Sequence, residues 1–167
     1  MSVYRTIFFG RETVLDILKV LHFDDIEIGQ RLQFGSYELD KDEIISFSRQ
    51  WDPQPFHTDE IAAKHSIFGG ITASSLHIFA ICTKLFALSE PKLAILAMLG
   101  KDEVRFHNPA RPGDVLSYQA ECIDKRESPS KPDRGIVQLK DLVTTNSGLV
   151  ILTQSVTLML SRKPSER

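Results

Sequence analysis

The chain has 167 residues and a mass of 18.9 kDa, enough for one sizeable core and too little for a second domain of ordinary size. Apolar residues make up 42% and charged residues 25%, which excludes the disordered and fibrous classes. A net charge of −2 supplies no bulk positive charge to hold nucleic acid or an anionic membrane.

Residues 1–22 read as an extension to a single domain over 23–167. Val14, Leu15, Ile17, Leu18 and Leu21 make a helix-spaced apolar stripe, so a short docking helix is expected there. The run Ile7-Phe8-Phe9 between Arg5 and Arg11 is too short for a signal-peptide core, and no apolar run reaches the length of about 18 residues that a membrane span needs. Cytoplasmic residence is the expectation. Cys82 and Cys122 stand alone, without a Cys-x-x-Cys pair, and are expected as buried free thiols rather than zinc ligands or a disulfide.

Asp24–Gln30 reads as a turn leading into a strand in which Leu32, Phe34 and Ser36 alternate with Gln33, Gly35 and Tyr37. Asp40 with Glu43 three positions on resembles a capping box. Ile44, Phe47 and Trp51 follow at helical spacing, predicting a helix over 41–50. Pro53 and Pro55 exclude helix interior over 52–58. Thr58 is expected to cap a short helix running to Lys64, with Asp59 and Glu60 in its first turn.

Phe68-Gly69-Gly70 forms a hinge before the most apolar segment. From Ile71 to Leu88 the only charged residue is Lys84. Apolar side chains cover almost the whole circumference, so the segment reads as a helix buried on all sides, about 18 residues and roughly 27 Å long. After Pro91 the pattern turns to strands. Val104 and Phe106 alternate with Arg105 and His107, and the turn-rich loop Asn108–Asp114 follows. Leu116, Tyr118, Ala120 and Cys122 alternate with polar neighbours. Residues 127–135 read as a loop, 136–145 as a strand, 146–148 as a tight turn and 149–161 as a final strand. In that strand Val150, Leu152, Val156, Leu158 and Leu160 face one way. The class is α+β: a long central helix wrapped by a curved antiparallel sheet, the organisation of a hot-dog fold.

The chemistry-bearing segment is 51–77. Asp52 and His57 lie five positions apart on a loop stiffened by two prolines. A carboxylate and an imidazole held at a fixed distance can share one water, which suits adding water to an activated double bond or removing it. On spacing alone, a loop-bracing Asp52 and a turn-forming His57 remain open. Gly69-Gly70 leads into the amino end of the apolar helix, where free N–H groups can stabilise an oxyanion. His77 reads as a core or pocket-wall group, His65 lies in the short helix, His107 is expected to be exposed and Trp51 to line the core or a pocket. No metal-ligand constellation and no phosphate-loop glycine motif is present.

Residues 52–76 resemble the MaoC-like dehydratases, the group that includes the (R)-specific enoyl-CoA hydratases. Their Gly-Asp-x-Asn-Pro-x-His pattern is matched here by Asp52, Pro55 and His57, with Trp51 in place of Gly and Gln54 in place of Asn. Phe68–Ser74 and the turn Arg111-Pro112-Gly113-Asp114 also look like this family, and the resemblance spans about 23–162. It implies that Asp52 and His57 hold the water and pass its protons. It also implies that a backbone N–H at the start of the long helix polarises the thioester carbonyl. That donor belongs to Gly in the hydratases' His-Gly-Met triplet, and the aligned residues here are Ser74-Ser75-Leu76, which assigns it to Ser75. Gly70, Ser74 and Arg111 are the substrate-binding candidates; for Arg111, contact with a pantetheine phosphate and bracing of its own turn are equally open.

The leading expectation is an acyl-thioester hydratase or dehydratase acting on an acyl-CoA or acyl-carrier thioester, as a homodimer, without cofactor or metal. The alternatives are a non-catalytic acyl-binding hot-dog module and a thioesterase. The last is disfavoured, because hot-dog thioesterases usually need an acidic residue on or near the central helix and residues 70–88 contain no Asp or Glu.

Overall fold

The computed structural model describes residues 20–164; most of the N-terminal segment expected to form a docking helix lies outside the described residues. A short 3-10 turn, Phe23–Asp25, leads into β1 (Arg31–Glu38). Four helices follow: α1 (Lys41–Trp51), α2 (Pro55–Thr58), α3 (Glu60–His65) and α4 (Ser75–Leu88). The chain then runs through β2 (Ile95–Phe106), β3 (Val115–Glu127), β4 (Arg134–Thr145) and β5 (Val150–Ser161). The strands form one antiparallel sheet in the order β1-β3-β4-β5-β2. The buried side of α4, including Ile78, Ile81, Cys82 and Leu85, joins Leu116, Ala120, Leu139 and Leu158 of the sheet in a single core. This is the α+β hot-dog arrangement expected from the sequence.

Local chemistry fixes the elements around the site. The Asp40 side chain accepts from Glu43 N–H at 2.9 Å and starts α1. The return bond of a capping box is absent there; the Glu43 carboxylate instead accepts from Tyr37 OH. The buried face of α1 is Ile44 and Ser48, spaced four apart, rather than a stripe reaching Trp51. Trp51 is 60% exposed, contrary to its expected place in the core or a pocket. Pro55 occupies the first turn of the one-turn helix α2, where its missing N–H costs nothing; within the expected non-helical stretch 52–58, only 52–54 lie outside a helix. Asp59, not Thr58, caps the next helix, accepting from Ile61 and Ala62 N–H. The Thr58 hydroxyl is already engaged, donating back to Gln54 O at 3.1 Å.

The long helix starts later than the hydropathy suggests. Residues 71–74 are extended, because Thr72 N–H donates to Phe56 O and Ala73 N–H to Ala110 O at 2.8 Å. Ser74 then caps α4 by accepting from Leu76 N–H, so the helix has 14 residues. Nor is it buried on all sides. His77, Ile78, Ile81, Cys82 and Leu85 are buried, while Leu76 and Leu88 are 47% and 67% exposed; one sheet covers only one side of a helix.

The strand periodicity read from the sequence holds in the first half of β3, where Leu116, Tyr118, Ala120 and Cys122 are all buried. In β1 the register shifts between Gln33 and Gly35, with Gly35 at φ +102°. The shift inverts the alternation beyond it, so Tyr37 packs on the core and Ser36 does not. Strand β2 begins at Ile95, well before the Val104–Phe106 alternation, and β3 and β4 extend into the expected 127–135 loop. In β5 the apolar face is joined by buried Ile151, Gln154 and Ser155.

Candidate active site

The turn between α1 and α2 sets the carboxylate and the imidazole. Asp52 ends α1, its N–H donating to Ser48 O at 2.9 Å. Gln54 N–H closes back on Asp52 O at 2.7 Å and His57 N–H on Gln54 O at 2.9 Å. Two tight closures with two prolines leave this five-residue step little freedom.

His57 is 7% exposed. Its Nδ1 lies 2.7 Å from the Thr72 carbonyl oxygen, with the Thr72 hydroxyl at 3.3 Å. A carbonyl can only accept, so the neutral ring carries its proton on Nδ1 and presents a bare lone pair at Nε2. That Nε2 faces Asp52 Oδ2 across 3.6 Å. Two acceptors at this separation do not bond each other. They are placed to receive the two hydrogens of one water, leaving the water oxygen free to attack. The same Asp52 Oδ2 accepts from the Ser74 hydroxyl at 2.7 Å.

These groups open on a cleft of about 340 Å³. Asp52, His57, Ala73, Ser75 and Ile78 line one side, and Phe106, His107 and Asn108 contribute from the chain around the end of β2. Ser75 is the first residue of α4, and the N–H groups of a helix's first turn have no intrahelical partner. Its N–H therefore belongs to the positive end of the helix dipole, beside the Asp52/His57 pair.

The remaining expected site residues fall elsewhere. Ser74 is fully buried and reaches the site through Asp52 rather than by lining the cleft. Gly70 and Arg111 are not among the lining residues. The Arg111 guanidinium donates to Phe68 O, and its backbone N–H donates to Asp114 Oδ2 at 2.7 Å, so it braces the loop carrying Gly69-Gly70. His77 lies behind the cleft, stacked on Phe47 with ring centres 4.5 Å apart and Nε2 3.4 Å from Glu43. Burial holds its pKa below the ordinary imidazole value, opposed by Glu43. His107 is exposed, as expected, with Nε2 2.8 Å from the Thr153 hydroxyl; its place on the cleft wall was not legible from strand alternation. Nor was the part played by Thr72, which acts through a backbone carbonyl and leaves no side-chain signature.

Comparison with known proteins places this geometry in a family context. The MaoC like domain matches residues 24–145. The chain is 33% identical over 119 residues to the YdeM protein of Bacillus subtilis (strain 168), covering 70% of this chain and 82% of that one. Among solved structures, a MaoC-like dehydratase from Rhodospirillum rubrum is 35% identical and superposes with a TM-score of 0.81, covering 86% of this chain and 99% of its own. An (R)-hydratase from A. caviae, 23% identical, shares the fold with a TM-score of 0.66 over 81% of this chain and 97% of its own.

Proposed function

The chain belongs to the MaoC-like dehydratase family, and from that premise we propose that it is a hydro-lyase acting on acyl thioesters. It adds water across the C2=C3 bond of a 2-enoyl thioester to give the 3-hydroxyacyl thioester, or runs the reverse. The observation that carries this reading is the pair of facing acceptors, Asp52 Oδ2 and His57 Nε2, 3.6 Å apart in the same cleft as the Ser75 backbone. A water bridging the two loses one proton to the pair as its oxygen bonds C3. The electron pair of the double bond moves toward the thioester carbonyl, whose developing oxyanion is met by the Ser75 N–H. The pair then returns a proton to C2, and the carbonyl re-forms. No further redox or metal step is needed to balance the reaction.

The substrate is taken to be an acyl-CoA or acyl-carrier thioester, and the working unit a homodimer. The dimer reading rests on β2, an edge strand with five large apolar side chains exposed. Among the described residues no helix is long and apolar enough to cross a membrane. Cys82 and Cys122 are both buried and unpaired, which suits a reducing compartment such as the cytoplasm.

The deciding assay is loss of enoyl absorbance on mixing the protein with crotonyl-CoA. Asp52→Asn and His57→Ala should each lower the rate by about 10²-fold or more, the scale of a general acid–base group, in proteins that still melt cooperatively as folded chains. The double variant should be far less than additive, because both groups act on one water. Full turnover in a folded Asp52→Asn protein would overturn the assignment, and a protein that binds acyl-CoA without turnover would be a binding module instead.

A further inference from the structure

Ser74 joins the two halves of the site while touching none of the space a substrate can enter. Its side chain is 0% exposed, and it does not line the cleft. Its Oγ lies 3.1 Å from Leu76 N and 2.7 Å from Asp52 Oδ2. The Leu76 N–H is a donor, so at that contact the hydroxyl must accept. Its single hydrogen is left for the carboxylate, which can only accept when ionised. The cap that starts α4 therefore dictates where the hydroxyl proton points, and that proton holds one Asp52 oxygen. The backbone adds a second tie, since Ser74 O accepts from Ile78 N–H at 3.1 Å. The hydroxyl cannot rotate away from Asp52 without abandoning its partner or the helix cap.

We infer that Ser74 is a positioning residue. It locks the Asp52 carboxylate to the amino end of α4, so that the water-holding Asp52 oxygen and the Ser75 N–H keep a fixed separation through turnover. This rests on the hydration reading above. It differs from a substrate-binding role, which burial of the side chain excludes, and from a purely capping role, which would act equally whether or not Asp52 is present.

A double-mutant cycle separates these roles. Ser74→Ala, Asp52→Ala, the combined variant and wild type are compared for hydration of crotonyl-CoA and for melting temperature. Ser74→Ala alone should lower kcat by roughly 10- to 100-fold, less than the about 10²–10⁴-fold of a general acid–base group itself because Asp52 is still present, and leave KM within about twofold, because the interaction matters in the reacting state and not in substrate binding. In the Asp52→Ala background the same change should alter kcat by less than about twofold. The melting temperature should fall in both backgrounds, since the cap is lost in both. Ser74→Thr keeps the hydroxyl and the cap and should recover much of the lost kcat. An equal kcat loss in both backgrounds would reduce Ser74 to a cap, and a raised KM with unchanged kcat would make it a binding residue; either overturns the inference while leaving the hydration reading intact. Full activity in Asp52→Ala would remove the residue to be positioned, and the hydration assignment would fall with it.

Discussion

Ser75 occupies the first position of α4, the place in a helix where proline is best tolerated, because the N–H it removes has no helical partner. Ser75→Pro therefore deletes the proposed oxyanion donor with little change to the fold. Turnover should drop by roughly 10²–10³-fold, the scale of one oxyanion-hole donor, with a near-normal melt. A folded Ser75→Pro protein that retains turnover would move the donor elsewhere. Asp141 makes a second residue-scale case, away from the cleft. It is 1% exposed, and its Oδ2 accepts from Tyr118 OH at 2.8 Å and Gln154 Nε2 at 2.7 Å, while Oδ1 has no hydrogen-bond partner. Burial is the largest influence on its carboxyl and raises the pKa above the ordinary 3.8, against the pull of Gln154, Tyr118 and Lys101. The folded state thus holds this proton to higher pH than the unfolded chain. The carboxyl's contribution to stability is full at acid pH and declines as pH rises from about 4 through the folded value. Asp141→Asn stays neutral, so its stability relative to wild type should improve between pH 4 and 8. Urea midpoints of both proteins across that range check this, and a constant difference would count against it. At this scale the sequence was readable where spacing on a stiff loop brings two side chains together, as at Asp52 and His57, whose polar atoms lie 3.6 Å apart. It was unreadable where the backbone acts, as at Thr72 O, or where a core polar group depends on strands distant in the chain, as at Asp141.

Elements were legible in proportion to how regular their surroundings are. In β3 one face meets the core throughout its first half, so Leu116, Tyr118, Ala120 and Cys122 announce it. Strand β2 was seen only at its end, because its pairing with β5 slips at three places, Ile95/Ala97, Met98/Gly100 and Asp102/Arg105, and each slip breaks a period of two. The α4 boundary was missed because hydropathy counts apolar residues whether the backbone is extended or helical; the cap at Ser74 and the bonds of Thr72 and Ala73 decide it. One element junction is testable directly. The 3-10 turn Phe23–Asp25 lays the Phe23 ring, 4% exposed, over Gly135 of β4, where an added Cβ would sit inside the ring's van der Waals contact. Lys125 covers the ring from the other strand, its Nζ 4.5 Å from the ring centre and donating to Phe23 O at 3.1 Å. Gly135→Ala must displace the ring. It should cost about 1–3 kcal/mol, the usual range for overpacking, and lower the melting temperature by several degrees. A melt equal to wild type would show that the turn is only loosely seated. Hydration activity should be retained, since neither residue borders the cleft.

For the whole molecule, the two edges of the sheet are chemically unlike. At the β1 edge, Arg31, Gln33, Ser36 and Glu38 are exposed, polar groups that discourage further pairing. At the β2 edge, Ile95, Leu96, Met98, Leu99 and Phe106 are 40–52% exposed on a strand of 12 residues that pairs with one neighbour only among the described strands. Strand order, which puts β2 at an edge although it stands second in sequence, was the part of the fold that pattern could not supply. Pairing is a choice among distant segments of similar hydropathy. An apolar edge of this length is an aggregation hazard unless it is covered. A second copy is the fitting cover, because a two-fold axis pairs a strand with itself in antiparallel register and closes the assembly with no edge left over there. Light scattering should give twice the 18.9 kDa chain mass. Leu99→Asp places two carboxylates near each other across such an axis, where like charges opposed in a sheet are destabilising, and should shift the protein toward monomer. Because β2 ends at Phe106, beside His107 on the cleft wall, loss of the dimer should also reduce hydration of crotonyl-CoA. A wild-type chain that stays monomeric at micromolar concentration, or a Leu99→Asp protein that remains dimeric, would remove β2 as the interface.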